Sequence, residues 1–210
     1  MIPELPALVY AAGLVFARLG SILMLLPGFG EPSIPVRIRL AFALLLCLIM
    51  GPIIAPSLPA MPAQPLVMAG MVMSEVITGL MIGAVARIFM STAAVAGQVI
   101  GMQSGLAMAQ SFDPSQGQQG ALIATFLNLT FLLVLLATNT HHMLLQMAVN
   151  SYQVFEPGAM PSMTDAAEWA LNAFIDAFRI GVQLASPLIL YGLLFYLALG
   201  ILSRLMPQAQ

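Results

Sequence analysis

Five ionisable side chains stand inside apolar stretches of the chain: Arg18, Glu75, Arg87, Asp176 and Arg179. Charge is costly at bilayer depth, so such groups mark ion or proton pathways or face protein as pairs. A relay would make the chain a small-solute or ion transporter, with Glu75, Arg87 and Asp176 as coupling charges. The wide spacing in sequence favours two other uses, ion pairs between subunits and snorkelling to the membrane interface. Arg18 interrupts the first apolar segment and is expected to point at protein or to snorkel. Glu75 and Arg87 share one segment, but twelve residues of helix put them about 18 Å apart on different faces. Each therefore needs a partner on another helix or another chain. Asp176 and Arg179, three apart, share a face and could form a local ion pair.

Other chemistry finds little support. His141 and His142 are adjacent, so on a helix they project about 100° apart, and no HExxH or cysteine partner accompanies them. A polar turn accounts for them, and a membrane enzyme built around them is the weaker alternative. The 16 methionines are scattered rather than set in a repeated ligand pattern, which suits adaptable packing or a deformable seal better than soft-metal transport. There is no P-loop and no Ser/His/Asp arrangement. The single cysteine, Cys47, sits in an apolar run as a small buried hydrophobe. No catalytic residue, metal or cofactor is expected.

The elements that must position these groups are membrane helices. The chain of 210 residues is 60% hydrophobic and 7% charged, with a formal net charge of -2, whereas soluble domains are about 25% charged. That composition predicts an all-α, polytopic membrane protein built of helical hairpins. No basic run points to nucleic acid. The N-terminus carries no Lys or Arg ahead of its apolar run, so the first segment is read as retained rather than cleaved. Apolar segments are expected at about 5–26 and 36–54. A third runs from near Gln64 as far as Ala109. Some 45 helical residues would reach about 65 Å, twice a hydrocarbon core, so that segment must project, tilt or fold back, with Gly70, Gly79, Gly83 and Gly97 as bend points. A hairpin over about 121–155, turning at Thr138–His142, and a last helix from near Ser162, with Ser162 and Asp165 as a capping box, complete the chain. Pro187 should kink the last helix.

One stretch is unlike the rest. Ala93, Gly97, Gly101, Gly105 and Ala109 recur at every fourth position, a side-chain-free stripe for close helix packing. It leads into the polar, glycine-rich Ser111–Gly120, broken by Pro114. Backbone freed by such a break is tolerated at membrane depth only where protein buries it or where it lines a water-filled cavity. Asp113, Pro114 and Gln116 would restart a helix there. Two readings are open on residue chemistry alone: a swinging gate sealed by thioether and aromatic groups, and an ordinary interfacial loop.

Three stretches, FARLGSILMLLPGFGEPSIPVRIRLAFALLL (16–46), SEVITGLMIGAVARIF (74–89) and GQVIGMQSGLAMAQSFDPSQGQQG (97–120), together resemble the FliR/SctT family of export-gate subunits in flagellar and virulence type III secretion. The flagellar branch is the nearer, and the resemblance covers essentially the whole chain. It implies a single integral-membrane export-gate domain over residues 1–210, in the bacterial inner membrane at the flagellar basal body. It implies assembly with several copies of FliP and FliQ into a closed helical cone through which unfolded flagellar proteins pass. FlhB-type and FlhA-type export proteins are implied as further partners, with energy from partner proteins and the proton gradient. The family's plug loop maps onto about Leu106–Gln119. The resemblance thus makes Met102, Leu106, Met108, Gln110, Ser111, Phe112, Asp113 and Pro114 the gate, with Met102, Met108 and Phe112 as sealing side chains. Family members usually continue past the Met-Pro-Gln motif, here Met206-Pro207-Gln208, with a further apolar segment and a cytoplasmic tail. That segment is expected to be missing from a chain ending at Gln210.

Overall fold

A computed structural model describes residues 5–104 and 119–205. They form six α-helices and one short 3-10 turn: α1 (Leu5–Leu25), α2 (Val36–Ile54), the turn Ala55–Ser57, α3 (Pro65–Gln103), α4 (Gln119–Ala137), α5 (Thr140–Val154) and α6 (Met163–Leu205). Among the described residues there is no strand, so the architecture is all-α. By length and composition α1, α2, α3 and α6 can each cross a bilayer, and α4 and α5, bent by 76° at their break, meet the same test as a pair.

Helix ends follow the sequence punctuation. Past α1, Pro27 and Gly28 halt propagation, and Gly28 takes a left-handed φ of 84°. The amide of Gly30 then donates to the carbonyl of Leu26 at 2.7 Å. Helix α3 opens on Pro65, whose missing N–H would be unsatisfied at that position anyway. It runs unbroken to Gln103, so Gly70, Gly79, Gly83 and Gly97 are not helix ends; three of them serve close contacts instead. The break between α4 and α5 is only Thr138–Asn139, shorter than the expected Thr138–His142 turn. Asn139 takes the left-handed φ of 57°, and His141 and His142 fall in the first turn of α5. At the start of α6 the Asp165 amide donates to Ser162 Oγ at 3.4 Å, one half of a capping box. Pro187 lies inside α6 without ending it.

The chain divides into two compact units. The first takes the residues up to Phe89 together with Val134–Phe174. Its core gathers Val15, Leu19, Ile22, Leu23 and Leu26 beside α1, Ala43, Cys47 and Ile54 on α2, Ile82 and Ala86 on α3, and Ala148 and Tyr152 on α5. Helix α1 supplies the most because its buried positions, from Tyr10 through Leu14, Arg18 and Ile22, recur every three or four residues. The thiol of Cys47 donates to the carbonyl of Ala12, and Phe42 stacks on Phe29. Rising numbers on one side thus meet falling numbers on the other, so α2 returns antiparallel to α1.

The second unit takes Met90–Leu133 and the residues from Ile175 onward. Its buried described residues are small: Thr92, Ala93, Ala96, Gly97 and Gly101 on α3, and Ala177, Gly181, Ala185 and Gly192 on α6. A Cβ on Gly97 would collide with the backbone of Ala124 on α4, and one on Gly181 would stand 3.0 Å from the carbonyl oxygen of Thr92. Helices here approach through missing side chains rather than interlocked large ones.

Candidate functional site

The most constrained chemistry in the first unit lies where α1 meets α3. Glu75, Gly79 and Gly83 follow at fourth positions along one face of α3. A Cβ on Gly79 would meet Ser21 Oγ and, at 2.5 Å, the carbonyl oxygen of Arg18. One on Gly83 would meet the Cβ of Leu25 at 2.8 Å and the carbonyl oxygen of Ile22 at 3.1 Å. Two glycines therefore let the backbones touch. The Tyr10 hydroxyl also donates to the sulfur of Met71. Numbers rise together along both helices, so α1 and α3 run parallel.

That approach brings Arg18 onto Glu75. Both side chains are fully buried. Arg18 Nε donates to Glu75 Oε2 at 2.5 Å and Nη2 donates to Oε1 at 3.0 Å, a bidentate fork. The other edge of the guanidinium, Nη1, donates to the carbonyls of Ser151 at 3.2 Å and Phe155 at 3.1 Å. These carbonyls lie at the C-terminal end of α5, where the negative end of the helix dipole favours a cation; that of Ser151 also accepts the Phe155 amide at 2.9 Å. The ring of Tyr152 lies 4.2 Å from Arg18 Cζ and contributes its π face. Glu75 Oε1 also accepts the amide of Gly158 at 2.7 Å. Gly158 adopts a φ of 78°, in the turn that follows α5. One ion pair thus fastens α1, α3, the end of α5 and the turn beyond it.

The remaining intramembrane charges are placed differently. Arg87 is exposed on α3 and makes no ion pair with a described residue. Asp176 and Arg179 are both exposed on α6 and make no ion pair with each other, contrary to the expected local pair. An exposed pair at this spacing gains little against the entropy of holding two long side chains. Glu75, one of the three coupling charges of the transporter alternative, accepts two bonds from Arg18 and one from Gly158. No group of three or more metal-ligating side chains occurs among the described residues, and the rings of His141 and His142 lie 4.1 Å apart. Of the expected gate, Met102 is 70% exposed near the end of α3. Leu106, Met108, Gln110, Ser111, Phe112, Asp113 and Pro114, with Gly105, lie outside the described residues.

Residues 9–210 match the family described as bacterial export proteins, family 1. The chain belongs to this export family. Its similarity to the flagellar biosynthetic protein FliR of Caulobacter vibrioides is 42% identity over 202 residues, 96% of this chain and 80% of the relative. FliR of Bacillus subtilis is 32% identical over 200 residues, 93% of this chain and 76% of that one. The surface presentation of antigens protein SpaR of Salmonella typhimurium is 29% identical over 205 residues, 98% and 76%.

In this export-family chain, sequence reasoning missed several contributors. Tyr152 and Gly158 complete the clamp from the end of α5 and the turn after it. Gly79 and Gly83 read as hinges, although their fourth-position spacing from Glu75 was the available signal of a shared face. Ala177, Gly181 and Ala185 form a second small-residue stripe on α6 that the same spacing test would have found.

Proposed function

We propose that this chain is a membrane subunit of the flagellar type III protein export apparatus, and that it helps to form and to plug the conduit for unfolded protein. The observation that carries the reading is the 42% identity with a flagellar biosynthetic FliR across 96% of the chain. Physical features support it. The two longest helices hold 39 and 43 residues, about 58 and 64 Å of helix against a hydrocarbon core of about 30 Å. Only 11% of the most apolar window of α6 is buried within the chain. Its flank exposes Leu190, Tyr191, Leu193, Leu194 and Phe195. Helices of that length and exposure suit a multi-subunit helical wall, and FliP-like and FliQ-like subunits are the neighbours we assign to it, with FlhB-type and FlhA-type proteins beyond them. The plug is assigned to Leu106–Gln119, led by Met102, and the site to the inner membrane at the basal body.

The test is conductance. Deleting Gln110–Gln116 in the assembled complex should raise ion leakage through planar bilayers or cell membranes while the other subunits still co-purify. Unchanged conductance in an intact complex refutes the plug. The Arg18–Glu75 clamp has a supporting part in this reading, holding the elements of the first unit together.

A further inference from the structure

The corner between α1 and α2 carries a feature separate from the charge clamp and independent of the gating proposal. The connection after Leu25 folds Phe29 back onto Phe42, with ring centroids 5.1 Å apart and planes within 8°. Leu23, Phe29, Ile34, Ile38, Arg39 and Phe42 line a cavity of about 220 Å3 there. Five of these six residues are apolar. The sixth, Arg39, is under-satisfied. Its Nε is shut off from solvent without a hydrogen-bond partner, and its Nη1 reaches the carbonyl of Gly30 only at 3.5 Å. A guanidinium presents five N–H groups and stays charged at any relevant pH, so within the chain this fork has a buried Nε with no acceptor and one long bond from Nη1.

Position adds to chemistry. Arg39 stands in the first turn of Val36–Ser57, a helix long and apolar enough to cross a bilayer, and a basic residue at the end of such a helix suits lipid headgroups rather than hydrocarbon. Arg37 is exposed in the same turn, and Glu31 on the connection is the opposing charge; two positive charges less one negative leave the corner at +1. A dry cavity of about 150 Å3 lined by Leu, Ile and Phe admits a benzene ring. The larger space here has room for the first several carbons of an acyl chain.

We propose that this corner binds an anionic phospholipid, with its phosphate on the guanidinium of Arg39 and the start of one acyl chain in the cavity between Leu23, Ile34, Ile38 and Phe42. The phosphate supplies the missing acceptor in a geometry that matches the arginine fork, and the chain displaces nothing that the protein needs.

Native mass spectrometry of the detergent-solubilised full chain tests this. The probes are dioleoyl phosphatidylglycerol, dioleoyl phosphatidylcholine and inorganic phosphate. Retained phosphatidylglycerol is expected at concentrations about fivefold below those needed for phosphatidylcholine. Arg39→Gln should erase that preference, and Arg39→Lys should keep part of it. Ile34→Trp, which fills the cavity, should reduce binding of both lipids. An unchanged preference in Arg39→Gln overturns the proposal. So does displacement of the lipid by inorganic phosphate at equal concentration, which would indicate an anion site without a chain. Loss of partner subunits from Arg39→Gln with lipid binding intact would assign the corner to a protein neighbour and also overturns it. Should Arg39→Gln fail to fold, Ile34→Trp decides alone: undiminished phosphatidylglycerol binding with the cavity filled refutes the site.

Discussion

Removing one charge from the clamp should cost far more than removing both. In Glu75→Met the guanidinium of Arg18 stays in a site with no solvent exposure, holding only two carbonyls and an aromatic ring. Breaking a buried pair from one side costs about 3–5 kcal/mol. The Gly158 amide also loses its acceptor, worth about 1 kcal/mol, for a total of roughly 4–6 kcal/mol. Arg18→Met strands the carboxylate in the same way and frees the carbonyls of Ser151 and Phe155. The double substitution leaves no buried charge. What remains lost is three hydrogen bonds to backbone groups, about 0.5–1.5 kcal/mol each, partly offset by two unbranched apolar side chains filling the volume. The double-mutant cycle should therefore show a coupling of at least about 3 kcal/mol. Equilibrium unfolding in mixed micelles, followed by helical circular dichroism, measures it. Additivity within about 1 kcal/mol would refute the clamp as the fastening of the first unit.

Further substitutions separate packing from helix propensity. Gly79→Ala places a methyl against Ser21 Oγ and the Arg18 carbonyl and should destabilise by about 1–3 kcal/mol in the same unfolding assay. Gly70→Ala, also on α3, meets nothing within 4 Å and should stabilise by about 0.5–1 kcal/mol. Gly97→Ala should lose about 1–3 kcal/mol against the backbone of Ala124, and equal stability with wild type would remove that contact. Tyr152→Leu forfeits the aromatic face under Arg18, about 1–2 kcal/mol. Tyr152→Phe keeps that face, loses only a 3.4 Å bond to the Val15 carbonyl, and should unfold close to wild type.

The fold class was legible because composition alone forces it: a chain with 7% charged residues has no aqueous solution to its folding problem. Helix ends were legible wherever proline and glycine cluster, as at Pro27–Gly28 and Pro65. What sequence could not deliver was the partner of each charge. Arg18 and Glu75 lie 57 residues apart; helix geometry excludes Arg87 as the partner, but nothing local tells Glu75 to choose Arg18 over an arginine on another segment. The choice is made by Gly79 and Gly83, which allow α1 to come near enough for a fork to close. It is also made by the end of α5, where the helix dipole draws a cation. Glycines inside a long apolar helix support two physical readings, bending and contact, and only the neighbour across the gap distinguishes them. Asp176 and Arg179 show the converse error: a favourable spacing is no reason to pair when both side chains are exposed.

The two units obey the same bilayer physics with different residues. Lipid tails solvate leucine as well as a protein core does, so burying large apolar side chains brings little association between helices in a membrane. What remains is close backbone contact and polar bonds with no competing water. The first unit uses both, with Gly79 and Gly83 for contact and Arg18 with Glu75 for the bond. The second unit shows close contact between small residues: its buried described residues are glycine, alanine and threonine, and no ion pair joins them among the described residues. It should therefore be the less stable unit in isolation. If partner subunits cover the exposed apolar flank of α6, its stability should rise on assembly more than that of the first. Hydrogen exchange at amides 90–103 and 177–192, compared with amides 14–23 and 75–86, measures the difference. Exchange in the second group that slows more on complex formation than in the first would contradict this division of labour.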